Sequence, residues 1–437
     1  IGVLRRLFTQ ELRLAAGDTR KPARGELHAN ALELAPLVAL AEHLPLAQEA
    51  RERLAAFSPK GSVYDLVARW DGEWREPRQY SVRGRFQNLS LVRAGRIPGF
   101  TGVSGTVEGS ERGGTLSLNS QKALVEMPLV FRDALEFEAL TAQVAWTRTG
   151  GETDLRLNQV SFSNPHLAGT VFGNYRTAGS VRGSIDLTGN LTRADARHVS
   201  RYVPIVVGTN ARDWLDNAFL AGQLSDVSLR LKGNLDEFPF PDGKGGVFQV
   251  AAKATRGELH YARGWPDIQD LAGDLLFRGK RLDVNARQGA ILGARLSKVH
   301  VEIPDLLQRA ERMLNISGEA EGPTSEFFSF MEKSPVLGMI DHFTEAWQAQ
   351  GAGKLALKLS IPLGASGKGR VSGAYQFAGN TFVIAPELPA VEQAGGRIEF
   401  TDASVRAQNV TGVMLGGPVS ISATTTRDST VHVTVQG

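Results

Sequence analysis

No cysteine occurs among the 437 residues, which removes disulfides, thiolate metal sites and cysteine nucleophiles together and leaves the redox compartment open. Long apolar runs are also missing. No stretch reaches the roughly eighteen residues that a membrane-crossing helix needs, and no signal peptide is visible. Charge of one sign is lacking too: 49 basic and 46 acidic residues leave a net +3, with the two signs interspersed. Without a basic patch there is no electrostatic footprint for DNA or RNA, so nucleic acid is excluded as a partner.

The motifs of catalysis are absent as well. Eight histidines, at positions 28, 43, 166, 198, 260, 300, 342 and 432, show no pair spaced to share one helix or strand face as metal ligands. Gly364-Ala365-Ser366-Gly367-Lys368-Gly369 fails as a phosphate loop, because two residues separate the glycines where four are needed and Gly369 stands where Ser or Thr belongs. Gly102-Val103-Ser104-Gly105-Thr106 misses the closing glycine of a nucleophile elbow. Glu136 and Glu138 lie two apart among polar residues, as on the solvated face of a strand. The chain reads as a non-enzyme without cofactor or metal. The rival reading is a carbohydrate- or lipid-processing β-protein with a carboxylate site assembled from distant residues.

What is present is alternation. From Phe248 to Gly293 the chain reads as short strands with apolar residues on every second position, punctuated at Arg256-Gly257, Gly264-Trp265-Pro266 and Arg278-Gly279. The cassette returns 123 residues later without insertion. Leu259, Trp265, Pro266, Gly273, Leu275, Phe277, Leu282, Leu292 and Gly293 meet Phe382, Leu388, Pro389, Gly396, Ile398, Phe400, Val405, Leu415 and Gly416. A fainter copy lies 168 residues earlier, with Leu91, Pro98, Phe100, Gly105 and Val107.

A second unit alternates with the first. One expected helix follows a Thr192 cap and stops at Pro204, and another runs from a Thr209-Asn210 cap through Trp214 and Phe219 to Gly222. The same order recurs at Pro36 to Pro45 with Leu46, Ala50, Leu54 and Phe57, and at Phe327, Phe328 and Met331 up to Pro335 with Met339, Ile340, Phe343 and Trp347. A basic turn is expected from Asp18 to Arg24, and a Pro- and Gly-rich loop from Asp236 to Gly246. Three segments result: 1–190 with the first helix pair at about 35–58, 191–322 with the second pair and the central cassette, and 323–437 with the third pair and the last cassette.

The expected fold class is mainly β: an elongated, strongly twisted antiparallel sheet of about 25 strands, built from repeats and curled into an open apolar groove. The chain begins at Ile1 and stops after the strand-like Val431-x-Val433-x-Val435, so an internal slice of a longer array is expected. Residues on the apolar parity are assigned to the groove: Val227, Leu229, Leu231, Val250, Ala252, Ala254, Leu259, Tyr261, Leu275, Phe277, Leu282, Val284, Leu355, Leu357 and Leu359, with their repeat mates Phe382, Ile398, Phe400 and Val405. Six short helices are too few to cover so many strands, so the apolar face must meet another sheet or lipid. Alternation is the same whether that face binds lipid or forms the closed sandwich core of an envelope scaffold with a protein partner.

A set of short motifs narrows the choice. Tyr175-Arg176-Thr177, Gly183-Ser184-Ile185-Asp186-Leu187, Arg193-Ala194-Asp195-Ala196, Arg201-Tyr202-Val203-Pro204, Trp214-Leu215, Phe238-Pro239-Phe240, Gly264-Trp265-Pro266 and Gly318-x-Ala320-x-Gly322-Pro323-Thr324 occur in that order. Together they resemble the YhdP-type proteins of the AsmA-like superfamily, most closely from about 170 to 345. The resemblance implies a periplasmic bridge of Gram-negative bacteria that carries phospholipid acyl chains along an apolar β-groove from inner to outer membrane. It implies anchoring in the inner membrane by an N-terminal helix that these residues do not include, and contact with outer-membrane or envelope proteins.

Overall fold

A computed structural model describes residues 10–15, 23–40, 48–73, 77–95, 97–177, 182–241, 243–308, 312–364, 368–426 and 430–437. The expected basic turn at 18–22, His43, Pro45 and Leu46 of the first helix pair, and residues 365–367 of the phosphate-loop look-alike lie outside them. The described strands number 23 and belong to one antiparallel sheet that is not closed into a barrel. The chain divides into two compact units, one of residues 1–194, 198–212 and 228–248, the other of 195–197, 213–227 and 249–437.

The first unit is a meander of β1 (Gln10–Ala15), β2 (Arg24–Glu33), β3 (Lys60–Asp71), β4 (Gln79–Leu91), β5 (Gly99–Ser110), β6 (Gly113–Glu126), β7 (Leu135–Thr149), β8 (Glu152–Ser163), β9 (Leu167–Thr177) and β10 (Ser184–Asp195). Each strand pairs antiparallel with the next. Helices α1 (Leu34–Leu40) and α2 (Gln48–Phe57) stand between β2 and β3. Its buried centre is Phe86, Val103, Ala123 and Leu140.

After α3 (Thr209–Ala218), strands β11 (Phe219–Asn234) and β12 (Gly246–Leu259) contribute residues to both units. The second unit continues through β13 (Ile268–Arg278), β14 (Arg281–Ile291), β15 (Ala294–Ile303) and β16 (Met313–Pro323). Helices α4 (Thr324–Glu332) and α5 (Val336–Met339) and the short β17 (Gln348–Gln350) follow. The unit ends with β18 (Ala352–Pro362), β19 (Arg370–Val383), β20 (Val391–Thr401), β21 (Val405–Met414), β22 (Gly417–Thr425) and β23 (Val431–Gln436). Strand β16 pairs directly with β18, so the helices are a side excursion from the ladder. The buried centre is Phe377, Val391, Ala394, Ala407 and Val410.

Three helix expectations are corrected. Thr192 caps nothing: β10 runs on to Asp195, and the Arg193 guanidinium donates to the carbonyls of Pro165 (2.7 Å) and Asn164 (2.8 Å), so only a 3-10 turn remains over Ala196–Tyr202. Helix α3 ends at Ala218 and not at Gly222, because Phe219 opens β11 and the His260 amide donates to the Ala218 carbonyl at 2.8 Å. Helix α5 stops at Met339, and a chain of turns carries Ile340 to Trp347.

Bulges recur strand after strand. Asp65, Asn88, Arg256, Asp270, Lys298, Gln393 and Asn409 all have φ between 49° and 55°, and each sits where its ladder register shifts. One extra residue on one strand bends it and increases its twist. The buried centres of both units lie beside these bends: Phe86 precedes Asn88, while Ala407 and Val410 flank Asn409. Small residues dominate among the buried ones, notably Ala29, Ala123, Ala142, Ala252, Ala286, Ala394 and Ala407.

Candidate functional site, a continuous apolar face

Residues directly opposite one another on paired strands project from the same face, so the registers alone show which side chains form rows. In the second unit Ala252, Leu275, Val284, Val301, Ile316, Leu359 and Val371 face one another in succession from β12 to β19. A second row runs Leu296, Ala320, Leu355, Tyr375, Ile398, Ala407, Ala423 and Val433, reaching β23. Gly318, Leu357, Gly373, Phe400 and Val405 lie between them, and Val250, Phe277, Leu282 and Ile303 flank the first row on its other side. No charged residue interrupts these rows.

The first unit repeats the arrangement. Gly84, Val107, Leu116, Val144, Leu157, Gly173 and Leu187 form one row from β4 to β10; Phe86, Gly105, Leu118, Ala142, Val160, Val171 and Gly189 form the next. Glycines in the rows make room for rings: a Cβ at Gly373 would collide with the Phe400 ring.

The opposite face is ionic. Lys253, Asp274, Asn285, His300, Ser317 and Lys358 form its ladder. Ion pairs Lys253–Asp226 (2.8 Å), Arg281–Asp283 (2.7 Å), Lys298–Glu319 (3.1 Å) and Lys354–Glu319 (2.9 Å) tie neighbouring positions. In the first unit Arg230, with Lys232 beside it, holds the Asp186 carboxyl below the usual range. Arg281 does the same for Asp283.

The decisive property is exposure. Leu275, Phe277, Leu282, Val284, Val301, Ile316, Leu355, Leu357, Leu359, Ile398 and Phe400 are only half-buried, as are Val107, Leu116, Leu118, Val144 and Leu157. A face covered by a second sheet would bury such side chains completely at an interior packing density. Here the fully buried residues are mostly alanines and residues beside the bends, with Leu135, Leu167, Phe240 and Ile303 as larger exceptions.

Most residues assigned to the groove from sequence fall in these rows. Leu259 and Phe382 lie beyond the bulges, opposite Ile268 and Val391. Leu229 packs against Gly189, and Val227, Leu229 and Leu231 alternate with Arg230 and Lys232 along β11. Tyr261 lies past the end of β12, where its carbonyl accepts from Trp214 Nε1 (3.0 Å) and its ring meets Trp265; burial, with Asp267 adding to it, pushes its hydroxyl up to about 12. None of the residues assigned to the groove from sequence lies before β11, although residues 1–190 read as a β-rich groove segment and Tyr80-x-Val82-x-Gly84-x-Phe86 carries the same alternation.

Helix α4 closes one end of the face in the second unit. Phe327 meets Tyr375 (5.2 Å between centroids), Phe328 meets Phe382 (6.5 Å) and Trp347 (5.9 Å), and Phe330 meets Trp265 (5.8 Å). The fully buried Thr324 hydroxyl joins the Tyr375 hydroxyl (2.7 Å) to the carboxamide of Asn380, which also reaches the carbonyls of Ala378 and Ala352 at 3.1 Å.

Other features carry less. A mixed-charge cleft of about 570 Å³ in the first unit, lined by His28, Asp65, Arg83, Arg85 and Glu108 among others, has the wrong polarity for an acyl chain. Asp283, His300 and Glu302 come together across β14 and β15, which spacing along the chain does not reveal. Arg281 already bridges both carboxylates, at 2.7 Å and 3.2 Å. Among the described residues no helix is long and apolar enough to cross a membrane.

Comparison with known proteins agrees with this geometry. The profile of the YhdP protein family matches residues 6–437. The intermembrane phospholipid transporter YhdP of Escherichia coli (strain K12) is 23% identical over 438 residues, covering 97% of this chain. The chain spans about a third of that relative's length, 33%. No solved structure matches.

Proposed function

The chain belongs to the YhdP family, and from that premise we propose that its apolar face is a length of lipid conduit, along which phospholipid acyl chains pass through the periplasm between inner and outer membranes. The observation that carries the reading is the pair of uninterrupted apolar rows in each unit, most of whose large side chains are only partly buried. An acyl tail of about sixteen methylenes left in water costs roughly 13 kcal/mol at ~0.8 kcal/mol each. The rows offer that tail apolar contact at every step, with no charged group to arrest it. Headgroups remain in water, so their charge is never desolvated.

The transport is non-enzymatic: the bond chemistry of the lipid is untouched, and the ionic groups lie on the opposite face. A closed-sandwich scaffold is disfavoured because its core would bury the residues that are half-exposed here. The parent protein, on this reading, is held in the inner membrane and hands lipid to an outer-membrane acceptor. Native mass spectrometry of the chain extracted from cells tests the proposal. Co-purifying phospholipid is the expected result; a lipid-free mass with a bound protein partner overturns it.

A further inference from the structure

The repeats give one surface an internal control. The β14–β15 turn is Leu292-Gly293 and the β21–β22 turn is its mate Leu415-Gly416, with φ of 50° and 89° in the first and 53° and 81° in the second. A leucine at positive φ is costly in a two-residue turn, where Asn or Gly fits without strain. Both cassettes retain it.

The two turns differ in what covers them. The Cβ position of Gly293 lies 3.6 Å from the Glu326 side chain of α4, and Leu292 is partly buried although Gly293 itself is exposed. Trp265 of the same cassette packs on Phe330 of α4. At the mates nothing lies within 4 Å of the Cβ position of Gly416, Leu415 is 86% exposed and Leu388, in the place of Trp265, is 56% exposed.

The first unit supplies another instance. There the β8–β9 turn is covered by the 3-10 turn that follows β10: Asn164 donates to the Tyr202 hydroxyl at 2.8 Å and His166 stacks on His198 at 3.5 Å. In both covered cases the covering element comes two strands after the turn it covers. We propose that Leu415, Gly416 and Leu388 form the docking site of an amphipathic helix of the α4 type, with an aromatic side chain seated on Leu388 and an acidic residue against the turn. This inference does not depend on lipid transport. It follows from the repeat, in which the equivalent turn borders a helix.

The absence of cysteine makes the test simple, since a single introduced thiol is unique. In the 437-residue chain, Leu415→Cys should react quickly with a maleimide and Leu292→Cys slowly, with circular dichroism confirming that both fold. A peptide of the sequence Thr324–Trp347 should slow Leu415→Cys several-fold and saturably, while the same peptide carrying Phe330→Asp should not. Because isolated helices are marginal in water, the segment is also fused after Gly437 by a flexible linker, which raises its effective concentration to about millimolar. Unslowed labelling in the fused chain overturns the proposal. So does equal protection by phosphatidylethanolamine–phosphatidylglycerol vesicles, or by raising the concentration of the chain alone, which would assign the patch to a lipid surface or a second copy.

Discussion

A carboxylate placed on the apolar face should separate conduit from core, and the structure provides the matched pair of positions. Val284 is half-buried in the row between Leu275 and Val301, whereas Val410 is 6% exposed among Phe377, Val391, Ala394 and Ala407. Val410→Asp strands a charge in a dry site, and even after the carboxyl protonates it should cost several kcal/mol, a large share of the roughly 5–15 kcal/mol that holds an ordinary domain together. Val284→Asp keeps part of its hydration and should cost less, roughly 1–3 kcal/mol. An acyl tail passing the carboxylate of Val284→Asp must strip that hydration, at a cost of at least about 3 kcal/mol, or roughly two orders of magnitude in passage. Urea unfolding followed by circular dichroism measures the first quantity, and phospholipid transfer between vesicles the second. Leu229→Asp should behave like Val284→Asp in the first unit. If Val284→Asp and Val410→Asp lower the unfolding midpoint equally, the face is a packed core and the conduit reading fails.

Gly373→Val should displace the Phe400 ring that lies over it, and a crystal structure or ring NMR shifts of the variant would show whether Phe400 leaves the row. Thr324→Val removes the hydroxyl between Tyr375 and Asn380 and should cost about 1–3 kcal/mol, because the carboxamide oxygen is left unpaired; no change in melting temperature would refute the bridge. Asp186 and Asp283 have folded pKa values lowered by their arginines, so their stability is complete above the unfolded value near ~4 and lost as pH falls below it; Asp283→Asn should flatten that acid limb. Tyr261 is shifted the other way, to about 12, so its contribution is complete below about 10 and lost as pH rises towards 12, and Tyr261→Phe should remove this alkaline loss. A photoreactive side chain at Phe343, 64% exposed beside Trp347, should crosslink phospholipid, whereas one at Trp214, whose Nε1 is fixed to the Tyr261 carbonyl, should not.

Period-two alternation made the strands and the apolar parity legible, and the repeat fixed which residues are equivalent. Facing partners were not legible. Register depends on bulges, and these fall on Asp, Asn, Arg, Lys and Gln at positive φ, residues that also suit an ordinary strand exterior. Arg256-Gly257 was visible as a break but not as a bend within one strand. The second helix pair was misjudged at both ends for a related reason: Thr192 and Phe219 have plausible helical neighbours, yet pairing of β10 with β9 and the contact of Ala218 with His260 override local preference. Gly222 marked the limit of a helix in sequence. In the structure it is a close-approach residue in β11, its Cβ position 3.3 Å from the Gly257 Cα. The alternation in the first unit is equally readable, yet the residues assigned there are confined to Leu229 and Leu231, because the cassette of the second unit is the more regular.

Strands that pair with their chain neighbours have a mechanical corollary. Each added strand needs only the one before it, so loop closure is short and the ladder can zip progressively as chain becomes available. A chain delivered end-first could therefore acquire structure in the order of its sequence, without waiting for a distant segment. Tension applied along the meander from its ends would load one hydrogen-bonded pair at a time and peel the sheet at low force. The helix excursions are the exceptions, because β2 meets β3 across α1 and α2 and β16 meets β18 across α4 and α5; there zipping must pause until about thirty residues have been bypassed, and at the second the Thr324–Tyr375–Asn380 bridge would act as the catch that holds the rejoined strands.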